Sequence, residues 1–309
     1  MWEIVRYNSE FAKDWNRFVA ESRNGTFLFD RGYMDYHSDR FTDCSWMVFE
    51  ADKLVALLPA NITTDGVLHS HGGLTYGGWV LPCNHINGAD MLDIFGQACD
   101  IWRTEGIKAL DYKTMPYIYR RRPAAEDEYA LFRLGAKLSE CNLSSTIDLS
   151  NPGSFKHHLS KAGRLDVKIE EIDDVELFVD LVAARLSDRY DAAPVHTAAE
   201  LRLLKDRFPK NIRIFAATVD GEVHAAVCMY ETSEVAHCQY MTTTETGRKY
   251  NLMIKMIHDL ARERYTDKRF FDFGISNEDH GRYLNADLLR YKYYYGATGV
   301  TYNRYLLTL

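Results

Sequence analysis

Two stretches of the chain repeat one order of hydrophobic and polar positions. Strand-like runs at 46–50 and 54–60 flank the turn Ala51-Asp52-Lys53, and runs at 212–219 and 222–230 flank Asp220-Gly221. Both predict β-hairpins, the second more strongly because Asp-Gly suits a tight primed turn. A further strand follows each hairpin, at 66–71 and 234–240, and then a polar or glycine-rich loop. Leu92, Phe95, Cys99 and Trp102 then recur at steps of three and four, as Leu252, Met256, Leu260 and Tyr265 nearly do. These spacings predict amphipathic helices with one face on a sheet. Each helix leads to a short strand with aspartate before an aromatic, Ala109-Leu110-Asp111-Tyr112 and Phe270-Phe271-Asp272-Phe273. Helical sequence precedes each hairpin, at 9–22 in one half and at 174–190 and 198–208 in the other.

The offsets agree: Asp52 and Asp220 lie 168 positions apart, and Asp111 and Asp272 lie 161 apart. So small a drift predicts a duplicated α/β (α+β) unit, each copy a mixed, mainly antiparallel sheet flanked by helices. The natural boundary is Leu149-Ser150-Asn151-Pro152-Gly153, where Asn-Pro-Gly is a strong loop signal, giving domains 1–150 and 151–309.

Composition narrows the class. With 46% apolar, 26% charged and only 7 proline residues in 309, the chain is of the globular type. Its six cysteines form no C-x-x-C pair, so neither a disulfide framework nor a zinc ribbon is expected, and a reducing compartment fits best. The start Met1-Trp2-Glu3-Ile4-Val5-Arg6 has no apolar leader and the apolar runs are short, so neither a signal peptide nor a membrane span is expected and a cytoplasmic location is inferred. The net charge of −7 disfavours a general nucleic-acid binder. Residues 248–304 run against that balance, with eleven Lys/Arg to seven Asp/Glu, and so either face an anionic ligand or form solvated helix faces.

The order helix, helix, three antiparallel strands, helix, strand, helix, strand resembles the GNAT acyltransferase fold. Two copies in one chain resemble the Fem-type (FemAB-like) aminoacyltransferases and related tandem acyltransferases. The residues behind the resemblance are Phe271-Asp272-Phe273-Gly274-Ile275-Ser276, Gly281, Leu284-Asn285, Lys292 and Tyr295-Gly296. In the first half they are Gly72 to Gly78 and Tyr112-Lys113-Thr114-Met115-Pro116, with Ser160 to Arg164 and Pro194-Val195-His196-Thr197 in the second. The resemblance implies two GNAT-like domains, the first on the acceptor side and degenerate, the second binding the donor. It also implies transfer of an acyl or aminoacyl group from acyl-CoA or aminoacyl-tRNA to an amine of a cell-envelope precursor or amino sugar, with acyl-CoA as a co-substrate and no covalent cofactor. One departure stands out: where acetyl-CoA-binding members carry a glycine-rich pyrophosphate loop, this chain reads Thr242-Thr243-Thr244-Glu245-Thr246-Gly247-Arg248-Lys249, with one glycine. A non-catalytic ligand-binding module on the same duplicated fold is therefore the second reading.

Acyl transfer to an amine needs a positioned carbonyl, a proton acceptor and donors facing the developing oxyanion, and it needs no covalent nucleophile. Asp272, Glu278 and His237 are the base candidates, each near a strand end or loop where ligands collect in open α/β sheets. Asp272 could instead cap the loop that follows it. The resemblance implies that Lys292 supplies positive charge to the reaction. It also places Gln239, Tyr240, Gly247, Arg248, Lys249, Asn251 and Asn285 around the donor, and His71, Gly72, Gly73, Tyr76, Gly77, Tyr112, Lys113, Tyr119, Arg189 and His196 around the acceptor. Asp272-Phe273-Gly274 also spells the kinase magnesium triplet, but no His-Arg-Asp set accompanies it. A zinc site drawn from His69, His71, Cys83 and His85 is disfavoured by their irregular spacing, and no metal is expected.

Overall fold

The computed structural model describes residues 2–152, 159–190 and 194–309, and the side chains of residues 188–190 fall outside that description. The chain divides into two compact units, one of Met1–Asn142, Asn277–Tyr283 and Thr301–Leu309, the other of Leu143–Ser276 and Leu284–Val300. Where the sequence suggests one cut at residue 150, the chain changes unit near residues 142, 276, 283 and 300.

The first unit contains β1 (Trp2–Arg6), α1 (Ala12–Glu21), α2 (Arg31–Met34), β2 (Thr42–Asp43), β3 (Trp46–Glu50), β4 (Lys53–Leu58), β5 (Asn61–Ile62), β6 (Val67–His69), α3 (Gly88–Thr104), β7 (Ala109–Lys113), α4 (Glu126–Arg133) and the start of β8 (Lys137–Asp148). Strands β1, β3 and β4 form an antiparallel sheet, and β2, β5, β6 and β7 form a second run in which only β6 and β7 are parallel. The strand Thr298–Thr308 lies antiparallel to the far side of β7. Helix α3 starts where the sequence provides a capping box: Asn87 Oδ1 accepts from the Ala89 amide at 2.8 Å, and Asp90 accepts from the Asn87 amide at 3.0 Å. Its Met91, Phe95, Cys99 and Trp102 face is buried against Trp46, Leu58 and Trp79. Each such side chain contributes about 2 kcal/mol when withdrawn from water.

The second unit adds β9 (Lys168–Ile172), α5 (Val175–Tyr190), α6 (Ala198–Arg207), β10 (Ile212–Val219), β11 (Glu222–Glu231), β12 (Val235–Thr243), α7 (Glu245–Lys249), α8 (Leu252–Asp259), β13 (Phe270–Ile275), the short strands β14 (Asn277–Glu278) and β15 (Tyr283–Leu284), α9 (Ala286–Tyr293) and β16 (Thr298–Thr308). Residues 143–276 order their strands β8-β13-β12-β11-β10-β9, antiparallel except for β12 and β13. Asp220 and Gly221 turn the β10–β11 hairpin with φ of 51° and 83°, the two positive angles that a primed turn demands. The apolar face of α8, Leu252, Met253, Met256 and Ile257, packs into a core with Val227, Ala236 and Phe271. The predicted helix through Leu260 and Tyr265 closes as one π-helical turn, Leu260–Arg264, with Tyr265 buried behind it.

Candidate active site in the second unit

Parallel strands β12 and β13 share three rungs, Val235↔Phe270, Ala236↔Phe271 and His237↔Asp272. Beyond the last rung no further pairing joins them among the described residues, although β12 runs on to Thr243 and β13 to Ile275. A bulge helps them part: Cys228 faces Tyr240 and Met229 faces Cys238, which leaves Gln239 as the extra residue on β12. Two parallel strands that separate at their carboxyl ends make the kind of opening in which ligands of α/β folds sit.

The last rung carries the chemistry. The His237 Nδ1 nitrogen lies 2.7 Å from Asp272 Oδ2. Ser144 and Thr146, on β8, each donate a hydroxyl to the other carboxylate oxygen, Oδ1, at 2.6 and 2.7 Å. The Gly274 amide reaches Oδ2 at 3.3 Å, so the aspartate also caps its own strand end, as the sequence allows. Asp272 has no solvent exposure. Burial alone would raise its carboxyl, but the hydrogen bonds of His237 and the two hydroxyls, joined by the His237 charge when the ring is protonated, outweigh it and hold the group at about 2. An ionised acceptor requires the hydrogen on Nδ1, which makes Nε2 the basic nitrogen of a neutral His237.

Lys292, on α9, is buried and spends two of its three donors on the carbonyls of Gly274 and Ile275, at 2.8 and 2.7 Å. It thereby pins the end of β13. Burial lowers its ammonium to about 8, with the nearby Asp272 charge opposing the shift. Asp272 and Lys292 both act electrostatically on Cys238, at the bulge, and Cys238 in turn acts on Tyr291 and Tyr295, so these groups share one neighbourhood. Tyr295 donates to Tyr291 at 2.5 Å and stacks on Phe273 with centroids 5.0 Å apart.

The structure thus brings His237, Asp272 and Lys292 together. Glu278 is exposed on β14, in a segment grouped with the first unit. Of the residues expected around the donor, Gln239 and Tyr240 lie on β12 past the rung, and the Tyr240 hydroxyl is 2.6 Å from Nδ1 of the buried His196. Arg248 and Lys249 are exposed on α7, and Asn251 adopts left-handed φ of 56° just before α8. Gly247 has a packing reason to be glycine: a Cβ there would lie 2.1 Å from the His224 carbonyl. Asn285 caps α9 by accepting from the Leu288 amide at 3.0 Å. Arg189 lies in α5 with its side chain outside the described residues.

The residues expected around the acceptor lie mostly in the first unit. Tyr112 is fully buried, donating to Asp127 at 2.6 Å and accepting from the Trp79 amide at 2.7 Å. Tyr76 and Tyr119 are buried with ring centroids 4.5 Å apart, their hydroxyls 3.0 Å from Thr26 and Tyr302 respectively. Gly77 lies so close to Ser70 that a Cβ would fall 1.8 Å from its carbonyl oxygen, and Gly73 lies against His37 and Phe41. Gly72 donates its amide to Asn61 at 2.7 Å. Lys113 clamps this loop through the carbonyls of Gly72 and Leu74, at 3.0 and 2.6 Å. His71 is buried beside His37, rings nearly parallel at 5.2 Å, and burial with the charges of His37 and Lys113 pushes it down to about 3.

Sequence reasoning passed over a second copy of the rung. Strands β6 and β7 are parallel over Val67↔Ala109, Leu68↔Leu110 and His69↔Asp111, and His69 Nδ1 is 2.8 Å from Asp111 Oδ2. His69 is therefore bound to a carboxylate, and among the described residues no group of His, Cys, Asp or Glu is placed to hold a metal. The signal was available: His69 and His237 are 168 positions apart, the same offset as the two hairpin turns. Ser144, Thr146 and Arg304 gave no such signal, since only β-pairing brings them to the aspartates.

Residues 154–293 match the family described as acetyltransferase (GNAT) domain, a span that includes His237, Asp272 and Lys292. No curated protein matches the chain. Among solved structures, FemX is similar with a TM-score of 0.70 at 11% identity, covering 99% of this chain and 97% of its own. L-PGS from Bacillus licheniformis gives 0.59 at 12% identity, covering 97% and 91%. A tandem GNAT protein from the clavulanic acid biosynthesis pathway gives 0.54 at 13% identity, covering 100% and 98%. No helix among the described residues is long and apolar enough to cross a membrane. Residues 154–293 thus carry an acetyltransferase (GNAT) domain, and the chain as a whole has the fold seen in FemX and in the tandem GNAT protein.

Proposed function

We propose that the second unit transfers an acyl or aminoacyl group from an activated donor, acyl-CoA or aminoacyl-tRNA, directly to an amine of a cell-envelope precursor or amino sugar. The observation that carries this reading is the parting of β12 and β13 immediately beyond a buried His–Asp rung. The donor carbonyl enters the opening and the amine nitrogen attacks its carbon. His237 Nε2 takes the proton that the nitrogen sheds, Asp272 stabilises the imidazolium, and the C–S or C–O bond breaks as the proton passes to the departing sulfur or oxygen. Such a base is worth about 10²- to 10⁴-fold in rate. Lys292, charged at neutral pH, fixes the strand end and places positive charge beside the opening. Gln239 and Tyr240 line the donor side, with Arg248 and Lys249 toward its anionic portion. The envelope acceptor is suggested by FemX and L-PGS among the similar folds.

The test is transfer of labelled acyl groups from acetyl-CoA, longer acyl-CoAs and charged tRNA to a panel of amino sugars and peptidoglycan precursors, with His237→Asn as the control. Transfer by the wild type that the variant loses supports the reading. The single glycine in residues 242–249 favours a second one, a ligand-binding module without turnover. Its outcome is thermal stabilisation by CoA, about 2.7 kcal/mol at a hundredfold excess over Kd, with no transfer from any donor.

A further inference from the structure

The two His–Asp rungs are alike in register and atom pairing, yet their aspartates are held differently. In the second unit the strand beside β13 provides two neutral hydroxyls, Ser144 and Thr146, both to Oδ1. In the first unit the strand beside β7 provides Arg304, whose guanidinium grips both carboxylate oxygens of Asp111, Nε to Oδ1 at 2.5 Å, and also reaches Glu140. Both strands run antiparallel to their aspartate strand, with Thr146 opposite Asp272 and Leu306 opposite Asp111. His69 is closed from the other side as well, because Thr63 Oγ1 lies 3.5 Å from its Nε2.

We propose that Ser144 and Thr146 are positioning residues for the reaction described above: by occupying Oδ1 they turn Oδ2 of Asp272 toward His237, beside the Gly274 amide, and so fix the ring with Nε2 turned away from the carboxylate. The inference rests on the transfer reading, and it goes further by assigning a task to two residues on a different strand from the base. The physical argument concerns charge. Neutral donors orient a carboxylate without cancelling it, so the pair keeps a full negative charge to stabilise an imidazolium. An arginine in the same place satisfies the carboxylate equally well but neutralises it, which leaves the first-unit pair as a structural tie. Cys238 and Lys292 are ionisable groups that act electrostatically with Asp272, while both hydroxyls donate to its Oδ1.

The test uses the full chain with ¹⁵N-labelled histidine and follows the low-field Nδ1 proton held between His237 and Asp272. Ser144→Ala and the isosteric Thr146→Val, singly and together, should speed exchange of this proton at least about tenfold, the change expected when an ordering hydrogen bond is lost. Thr146→Ser should restore the wild-type signal, and the His69 proton should be unmoved in every variant. An unchanged His237 proton in the folded single variants overturns the proposal. If the double variant does not fold, the single variants decide. The readout needs no substrate, so failure to find transfer from any donor would sink the catalytic reading while leaving the positioning result standing.

Discussion

Asp272 lies fully buried among hydroxyls, whereas Asp111 is partly exposed beneath a guanidinium, although each closes the last rung of a short parallel pair with the Nδ1 of a histidine. Both carboxyls are held at about 2 against the upward pull of burial, the first-unit group by His69 and Arg304, the second-unit group by His237 and the hydroxyls. Equal acidity therefore hides unequal chemistry. A pair that retains net negative charge can stabilise a proton arriving on its histidine; a pair whose charge is cancelled serves as a cross-strand tie.

The largest expected contrast comes from deleting each aspartate. Asp272→Ala strands two buried hydroxyls and a buried imidazole and should cost about 3 to 5 kcal/mol in denaturant titrations, along with acyl transfer. Asp111→Ala frees a partly exposed arginine and should cost about 1 kcal/mol with transfer retained. Equal losses of stability and transfer would end the distinction.

Next in size are the two glycine positions, Gly77 and Gly247, where the sequence suggests ligand approach and the structure shows carbonyls at 1.8 and 2.1 Å from an added Cβ. Alanine at either should cost about 2 to 3 kcal/mol in thermal or denaturant unfolding, as overpacking does elsewhere. A substitution that only weakens ligand binding would restore the ligand-contact reading.

Acid sharpens the same comparison. A carboxyl depressed from 3.8 to about 2 contributes stability that is present above pH 3.8 and lost as pH falls toward 2. For Asp272 this is worth about 2 kcal/mol, and Asp272→Asn should remove that portion of the acid slope in melts across pH 2 to 5. The smallest effect is ionic: 1 M salt should weaken the Arg304–Asp111 tie by less than about 1 kcal/mol and leave the hydroxyl-held pair untouched.

Much of the fold can be read from the chain, for identifiable reasons. Asp220-Gly221 encodes its hairpin turn locally, and the Leu92-to-Trp102 and Leu252-to-Tyr265 spacings encode helix faces, so these elements stand where periodicity puts them. Local pattern cannot reveal which distant strand completes a sheet, and the partners of Asp272 and Asp111 arrive on such strands, 126 and 193 positions away at Thr146 and Arg304. The site was legible to the same degree. Asp272 and His237 announce themselves by position near strand ends and Lys292 by the family resemblance, while Tyr112 is an aromatic whose burial and bond to Asp127 only the packing discloses.

Residues 301–309 belong to the first unit although nearly the whole second unit precedes them in the chain. During synthesis the amino-terminal half must therefore wait, one sheet position vacant beside Asp111, until residues 301–309 have been made. A lesion in residues 301–309 will consequently injure the part of the molecule that was translated first.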